Sequence, residues 1–214
     1  EVAYLLVHGE LPTGEQLSTW NSQLTEHAAL DPQQNSSLLK SFNSQSHPMG
    51  MFTAGLAAMS TLYPDARDVE DHQIRQKHIV NAIAKVSSLA ASAAAFRNGH
   101  SASFPQENLS YIENFLSMTF STQDKPFEQN ATFSKALDQL LILHADHEQN
   151  CSTSTVRVVG SAQSSIYPSI SAGINALWGP LHGGANQAVI EMLDQIINDG
   201  NDIDKYIKKA KDKN

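Results

Sequence analysis

The chain has 214 residues, of which 41% are hydrophobic and 17% charged, a composition typical of a globular protein rather than a disordered one. Its net charge of -8, with no Lys/Arg cluster before the extreme C-terminus, argues against a nucleic-acid or acidic-membrane partner. The lone cysteine, Cys151, excludes an intramolecular disulfide and is typical of a reducing, cytoplasmic setting.

Helix signals begin near the N-terminus. Thr13 and Gln16 have the spacing of a capping box, which predicts that a helix starts there. The steps Asp31-Pro32 and His47-Pro48 predict two further helix starts, because proline is favoured in a first helical turn. The helix after His47 is expected to end before Tyr63-Pro64.

A long helix is predicted over residues 74–97, with Gly99 just past its end. Its alanine-rich second half suggests a buried helix that neighbours approach closely. The most apolar stretch, residues 86–96, is about half of the ~20 residues that a membrane span requires, so no span is expected. Later helices are predicted at residues 109–120, 133–148, 169–178 and 185–197, and the charged residues 205–213 predict a solvated helix end. Residues 155–159 form the one strand-like run, because they are rich in β-branched side chains. One mostly α-helical domain is the simplest interpretation, since the chain has no internal repeat or linker.

Two histidines lie at the end of the 133–148 helix, in the segment His144-Ala145-Asp146-His147-Glu148-Gln149-Asn150. A stripe at helical spacing leads from Phe133 to His144 and His147, which predicts a helix running from the core into a polar pocket. Three interpretations stay open: a metal site, histidines satisfied by neighbouring carboxylates, or an anion site in which His147 and Asn150 donate to a carboxylated substrate. The metal is the weakest of these, because two histidines three residues apart lack the zinc-protease spacing.

A run of small polar side chains follows, from Cys151 to Thr155. Hydroxyl groups there could orient a nearby imidazole by hydrogen bonding. Cys151 has no clear activating partner and is expected to be a small buried side chain. No Gly-x-Ser-x-Gly elbow and no phosphate-binding glycine loop is present.

The segment Trp178-Gly179-Pro180-Leu181-His182-Gly183-Gly184-Ala185-Asn186 carries a single histidine between a Gly-Pro entry and a Gly-Gly exit. A helix-prone run follows at once, so His182 is expected at a helix start. The partial positive charge there disfavours an imidazolium, so His182 should stay neutral and donate a hydrogen bond to a carbonyl. The simpler interpretation, a turn capped by a histidine, is about equally well supported by this motif alone.

The segments 144–150 and 179–186 together closely resemble citrate synthase. Ser46-His47-Pro48-Met49 and Asn108-Leu109-Ser110-Tyr111 are similar to the bacterial members. The resemblance runs across essentially the whole chain. It implies an all-α fold: the citrate-synthase-like helical large domain, truncated at both ends. Residues 1–214 would form the central part of that large domain, and the small domain would be largely absent.

The resemblance also implies an acyltransferase that condenses acetyl-CoA with oxaloacetate to give citrate and CoA at entry to the tricarboxylic acid cycle. It implies no covalently bound cofactor and no metal, acetyl-CoA being a substrate. The expected partners are these substrates and a second subunit, in a cytoplasmic homodimer or a hexamer, with no nucleic acid and no membrane.

Site roles follow from the resemblance residue by residue. His182 would hydrogen-bond the thioester oxygen of acetyl-CoA and stabilise its enol, His147 would bind oxaloacetate with Asn150 beside it, and Ser152 would orient His182. The family's second catalytic histidine, in a Gly-His-Arg motif, and its catalytic aspartate are expected downstream of this chain, which should be inactive alone. The alternatives are 2-methylcitrate synthase, which uses propionyl-CoA, and a non-catalytic dimerisation or ligand-binding module.

Overall fold

The computed structural model describes residues 1–212, and 68% of the chain is helical, with no strand in that range. The predicted all-α fold is therefore confirmed. A short 3₁₀ helix, Pro64–Arg67, separates α4 from α5. The α-helices are α1 (Val2–His8), α2 (Gly14–His27), α3 (Pro32–Lys40), α4 (Pro48–Leu62), α5 (His72–Arg97), α6 (Tyr111–Phe120), α7 (Ala131–His144), α8 (Cys151–Gly160), α9 (Ile166–Leu177), α10 (Gly184–Asn198) and α11 (Ile203–Lys211).

Side-chain caps fix where the early helices begin. The Thr13 hydroxyl accepts from the Gln16 backbone N–H, and the Gln16 side chain accepts from the Thr13 N–H, which confirms the predicted capping box. Asp31 caps α3, and His47 caps α4 through its Nδ1 atom, 3.2 Å from the Met49 backbone nitrogen. Both X-Pro steps therefore start helices as predicted.

Helix α5 is the centre of the core and packs against α2, α4 and α6. Its buried face is largely alanine and serine, so the neighbouring backbones approach closely. One core cluster joins α5 to α4 and α9; its principal members are Leu56, Met59, Leu89, Tyr167 and Ile174. A second cluster joins α5 to α1 and α2; its principal members are Tyr4, Trp20, Leu24 and Val80.

By length and composition, α5 is the one helix within residues 1–212 that could cross a membrane. The expectation that no apolar segment reaches this length is therefore wrong, because the apolar stretch extends N-terminally beyond residue 86. Of its most apolar window, 67% is buried inside the protein, as expected of a helix at the centre of a core.

The strand-like run at residues 155–159 is helical, and that prediction is wrong. Asn150 caps α8 by accepting from the Thr153 N–H at 3.0 Å, and the Thr155 hydroxyl donates to the Cys151 carbonyl at 2.7 Å. The Asn150 cap outweighs the β preference of the branched residues. Helix α1 is a further element that the sequence pattern did not indicate.

The chain divides into two compact units, Glu1–Asn175 and a second that begins at Ala176. In the second unit, Asp202 caps α11, and Lys205 forms an ion pair with Asp199 at 2.8 Å. This agrees with the predicted helix end at residues 205–213, although Lys213 lies outside the described residues. That residues 1–214 form the central part of a large domain stays a prediction.

Candidate active site

The segment that carries His144 and His147 is partly helix and partly loop. Helix α7 ends at His144, whose Nδ1 atom lies 2.7 Å from the Leu140 carbonyl oxygen. Asp146 then accepts from the Glu148 backbone N–H at 3.1 Å, and Glu148 has a left-handed φ of 55°. The prediction that the helix continues to residue 148 is therefore wrong, since this Asx turn stops it.

The predicted stripe on α7 does not lead out of a core. No residue of α7 is buried, and Phe133 and Leu140 are 61% and 52% exposed. His144 and His147 are exposed as well. Among the described residues, no group of three or more His, Cys, Asp or Glu side chains is placed to hold a metal ion. The metal interpretation therefore finds no third ligand in the described part of the chain.

Asn150 joins the His147 loop to α8. Its Oδ1 atom caps the helix at the Thr153 N–H, and its Nδ2 atom donates to the His147 carbonyl at 3.2 Å. A carboxamide nitrogen carries two hydrogens, so the second can donate to a bound anion. His147 and Asn150 thus lie side by side at a helix N-terminus, where a negative charge is favoured.

Ser152 and Cys151 lie in the first turn of α8. The Ser152 hydroxyl is half-buried and donates to the Gly173 carbonyl of α9 at 2.9 Å. Cys151 is exposed, so the expectation of a buried cysteine is wrong. The physical reason is that α8 buries none of its residues completely and presents Cys151 to the solvent side.

His182 belongs to the second unit and lies two residues before α10. Its backbone N–H donates to the Gly179 carbonyl at 3.0 Å, and the Gly183 N–H donates to the same oxygen at 3.1 Å. Gly183 is the N-cap of α10, so the predicted position of the half-buried His182 at a helix start is confirmed. Its neutrality and its role toward a substrate stay predictions.

Gly183 is required by the turn itself. A Cβ atom on this residue would collide with the Leu177 carbonyl oxygen, which is backbone and cannot move aside as a side chain would. Gly183 is therefore needed for a reason within the chain itself, independent of any substrate.

Gly183→Ala should destabilise this turn by about 1–3 kcal/mol, the usual cost of overpacking. Gly184→Ala is the matched control, because the nearest atom to its added Cβ is Pro180 Cβ at 3.6 Å, an ordinary contact. Urea unfolding of both variants measures the difference. Equal stability of the two variants would contradict the collision.

Three of the four predicted site residues are neighbours: His147, Asn150 and Ser152 share one loop and helix start. Sequence reasoning missed Gly173, which receives the Ser152 hydrogen bond. The available signal was a glycine inside the apolar helix pattern of residues 169–178, since a glycine there often marks close approach of a second backbone.

The described residues form a helical fold with a histidine at a glycine-flanked helix start. Comparison with known proteins identifies the family that shares these features. The family model described as "Citrate synthase, C-terminal domain" matches residues 1–214. The chain belongs to the citrate synthase family.

Individual relatives agree with this assignment. The chain is 47% identical over 214 residues to a citrate synthase of Corynebacterium glutamicum and 42% identical over 213 residues to citrate synthase 1 of Mycobacterium tuberculosis. Each match covers 100% of this chain and 49% of the relative, so the chain spans about half the length of these curated relatives.

Solved structures give the same fold. The citrate synthase of Pyrobaculum aerophilum superimposes with a TM-score of 0.81 at 30% identity, covering 92% of this chain and 49% of that one. The citrate synthase of Thermotoga maritima has a TM-score of 0.76 at 24% identity, over 98% of this chain and 52% of that one, and supports the fold alone.

Proposed function

We propose that the complete protein containing this chain condenses acetyl-CoA with oxaloacetate and hydrolyses the citryl-CoA product to citrate and CoA. The observation that carries the proposal is the pair of histidine motifs, residues 144–150 and 179–186, in a chain whose full length matches the family. The proposal concerns the complete protein, because this chain spans about half of its curated relatives.

His182 is proposed to hold the acetyl group. A neutral imidazole at the start of α10 donates an N–H to the thioester oxygen and stabilises the enol that forms when a methyl proton is removed. The partial positive charge of the helix start supports this role, because it favours the developing negative charge on oxygen and disfavours a second positive charge on the ring.

His147 is proposed to bind oxaloacetate, with Asn150 beside it. Both residues lie where α8 begins. The second Nδ2 hydrogen of Asn150 is proposed to donate to a carboxylate of oxaloacetate. Ser152 is proposed to orient His182 in the complete enzyme. Its hydroxyl would then donate to the imidazole nitrogen that does not hold the thioester, in place of the Gly173 carbonyl.

The remaining chemistry is assigned to residues outside this chain. Removal of the methyl proton needs an aspartate base, and attack on the oxaloacetate carbonyl needs a second histidine donor, both expected from the resemblance. We therefore infer that this chain alone is inactive. A cytoplasmic homodimer or hexamer, with no covalently bound cofactor, completes the proposal.

The test is a thiol-release assay on the protein made from the complete reading frame, with oxaloacetate and either acetyl-CoA or propionyl-CoA. We expect release that depends on oxaloacetate and prefers acetyl-CoA. A strong preference for propionyl-CoA would assign the protein to 2-methylcitrate synthases instead. No release with either thioester would favour a non-catalytic binding module.

A further inference from the structure

Helices α8 and α9 approach closely at Gly173. This residue is buried, and a Cβ atom added to it would lie 2.6 Å from Cγ2 of Val156 and 3.3 Å from the Ser152 carbonyl oxygen. A contact of 2.6 Å is shorter than real Cβ atoms tolerate, so a larger residue at position 173 requires the Val156 side chain, or α8 with it, to shift.

The backbone at the start of α8 connects this contact to the proposed oxaloacetate residues. The Ser152 hydroxyl donates to the Gly173 carbonyl at 2.9 Å, two residues after the Asn150 cap of α8. Asn150 in turn donates to the His147 carbonyl at 3.2 Å. A displacement of the first turn of α8 therefore moves Asn150 and the His147 loop with it.

The two helices differ in how firmly they are held. Helix α9 is anchored in the core: Tyr167 is fully buried, Ile174 is 8% exposed, and the Ser171 hydroxyl donates to the Thr53 carbonyl of α4 at 3.0 Å. Helix α8 has no buried residue of its own, and Val158 is 70% exposed. The position of α8 accordingly depends on its contact with α9.

We propose that Gly173 is a positioning residue: the close approach it permits fixes the first turn of α8 and so sets the affinity of His147 and Asn150 for oxaloacetate. The effect on affinity rests on the proposed function. The effect on the α8 start does not, because it follows from the contacts alone.

Gly173→Ala in the complete enzyme should raise KM for oxaloacetate roughly 10–100-fold, since displacements of about 1 Å have effects of this order, with a smaller change in kcat. Adding Val156→Ala should restore much of the affinity, because it removes the methyl group that meets the new Cβ. Gly160→Ala is the matched control on α8, where nothing lies within 4 Å of an added Cβ, and should leave KM unchanged.

A second readout needs no activity. Hydrogen exchange at the Thr153 and Ser154 amides, which donate to the Asn150 side chain and carbonyl, should accelerate in Gly173→Ala and recover in the double variant. If the wild-type enzyme shows no turnover, the proposed function fails while the exchange data still test the contact.

If Gly173→Ala does not fold, Val156→Ile enlarges the same contact from the α8 side and should also raise KM.

A wild-type KM together with wild-type exchange in Gly173→Ala would overturn the proposal. So would a loss of affinity that Val156→Ala does not relieve, because the damage would then arise elsewhere than at the helix contact.

Discussion

Replacing His182 with alanine in the complete enzyme should lower kcat about 10²–10³-fold, the usual loss when one donor to a developing oxyanion is removed. Oxaloacetate affinity should stay close to that of the wild type, because His182 is assigned to the thioester and not to the dicarboxylate. The measurement is kcat from steady-state thiol release, paired with calorimetric titration of oxaloacetate.

His147→Gln should have the opposite pattern of effects on kcat and on oxaloacetate binding. It should weaken oxaloacetate binding with a smaller effect on turnover at saturation, because it removes an interaction made before the chemical step. If His182→Ala weakened oxaloacetate binding while His147→Gln mainly lowered kcat, the two role assignments would be reversed.

The second large effect is expected at Tyr167, which anchors α9. Its fully buried hydroxyl lies 2.9 Å from Nδ1 of His78, which is only 2% exposed. Burial raises the pKa of Tyr167, so its hydroxyl keeps its proton and can donate to Nδ1. Nε2 of His78 lies 3.2 Å from the Asp65 carboxylate, within ion-pair range but without hydrogen-bond alignment. Tyr167 therefore provides the well-formed hydrogen bond of this buried ring.

Tyr167→Phe should lower the free energy of unfolding by about 1–3 kcal/mol, because it leaves Nδ1 of His78 buried without a partner. Tyr63→Phe is the control. The Tyr63 ring packs against both Tyr167 and His78, but its hydroxyl makes no hydrogen bond with any residue from 1 to 212. Urea unfolding should show a change within about 0.5 kcal/mol for the control. Equal losses in the two variants would mean that the His78 hydrogen bond is not the cause.

The elements that the sequence predicts well are those with local causes. The capping box at Thr13, the X-Pro starts at residues 31–32 and 47–48, and the histidine before α10 are all set by neighbours within a few residues. Such signals are read from the chain without knowledge of what packs against it.

The features that escaped prediction depend on competing local bonds or on distant partners. The branched residues of α8 favour a strand, and the helix forms because Asn150 caps its first turn. The end of α7 at His144 depends on the Asp146 turn, and the exposure of Cys151 depends on which face α8 turns toward α9. Gly173 matters only because Val156 and Ser152 lie against it, and they are 17 or more residues away along the chain.

The most direct test of the account follows isotope-labelled acetyl-CoA in the complete enzyme supplied with oxaloacetate. We expect the labelled methyl carbon to appear in citrate, with one free CoA released for each citrate formed. Label that stays in acetyl-CoA, or that appears only in acetate, would contradict it, because neither result forms the carbon–carbon bond for which the His182 and His147 sites are proposed.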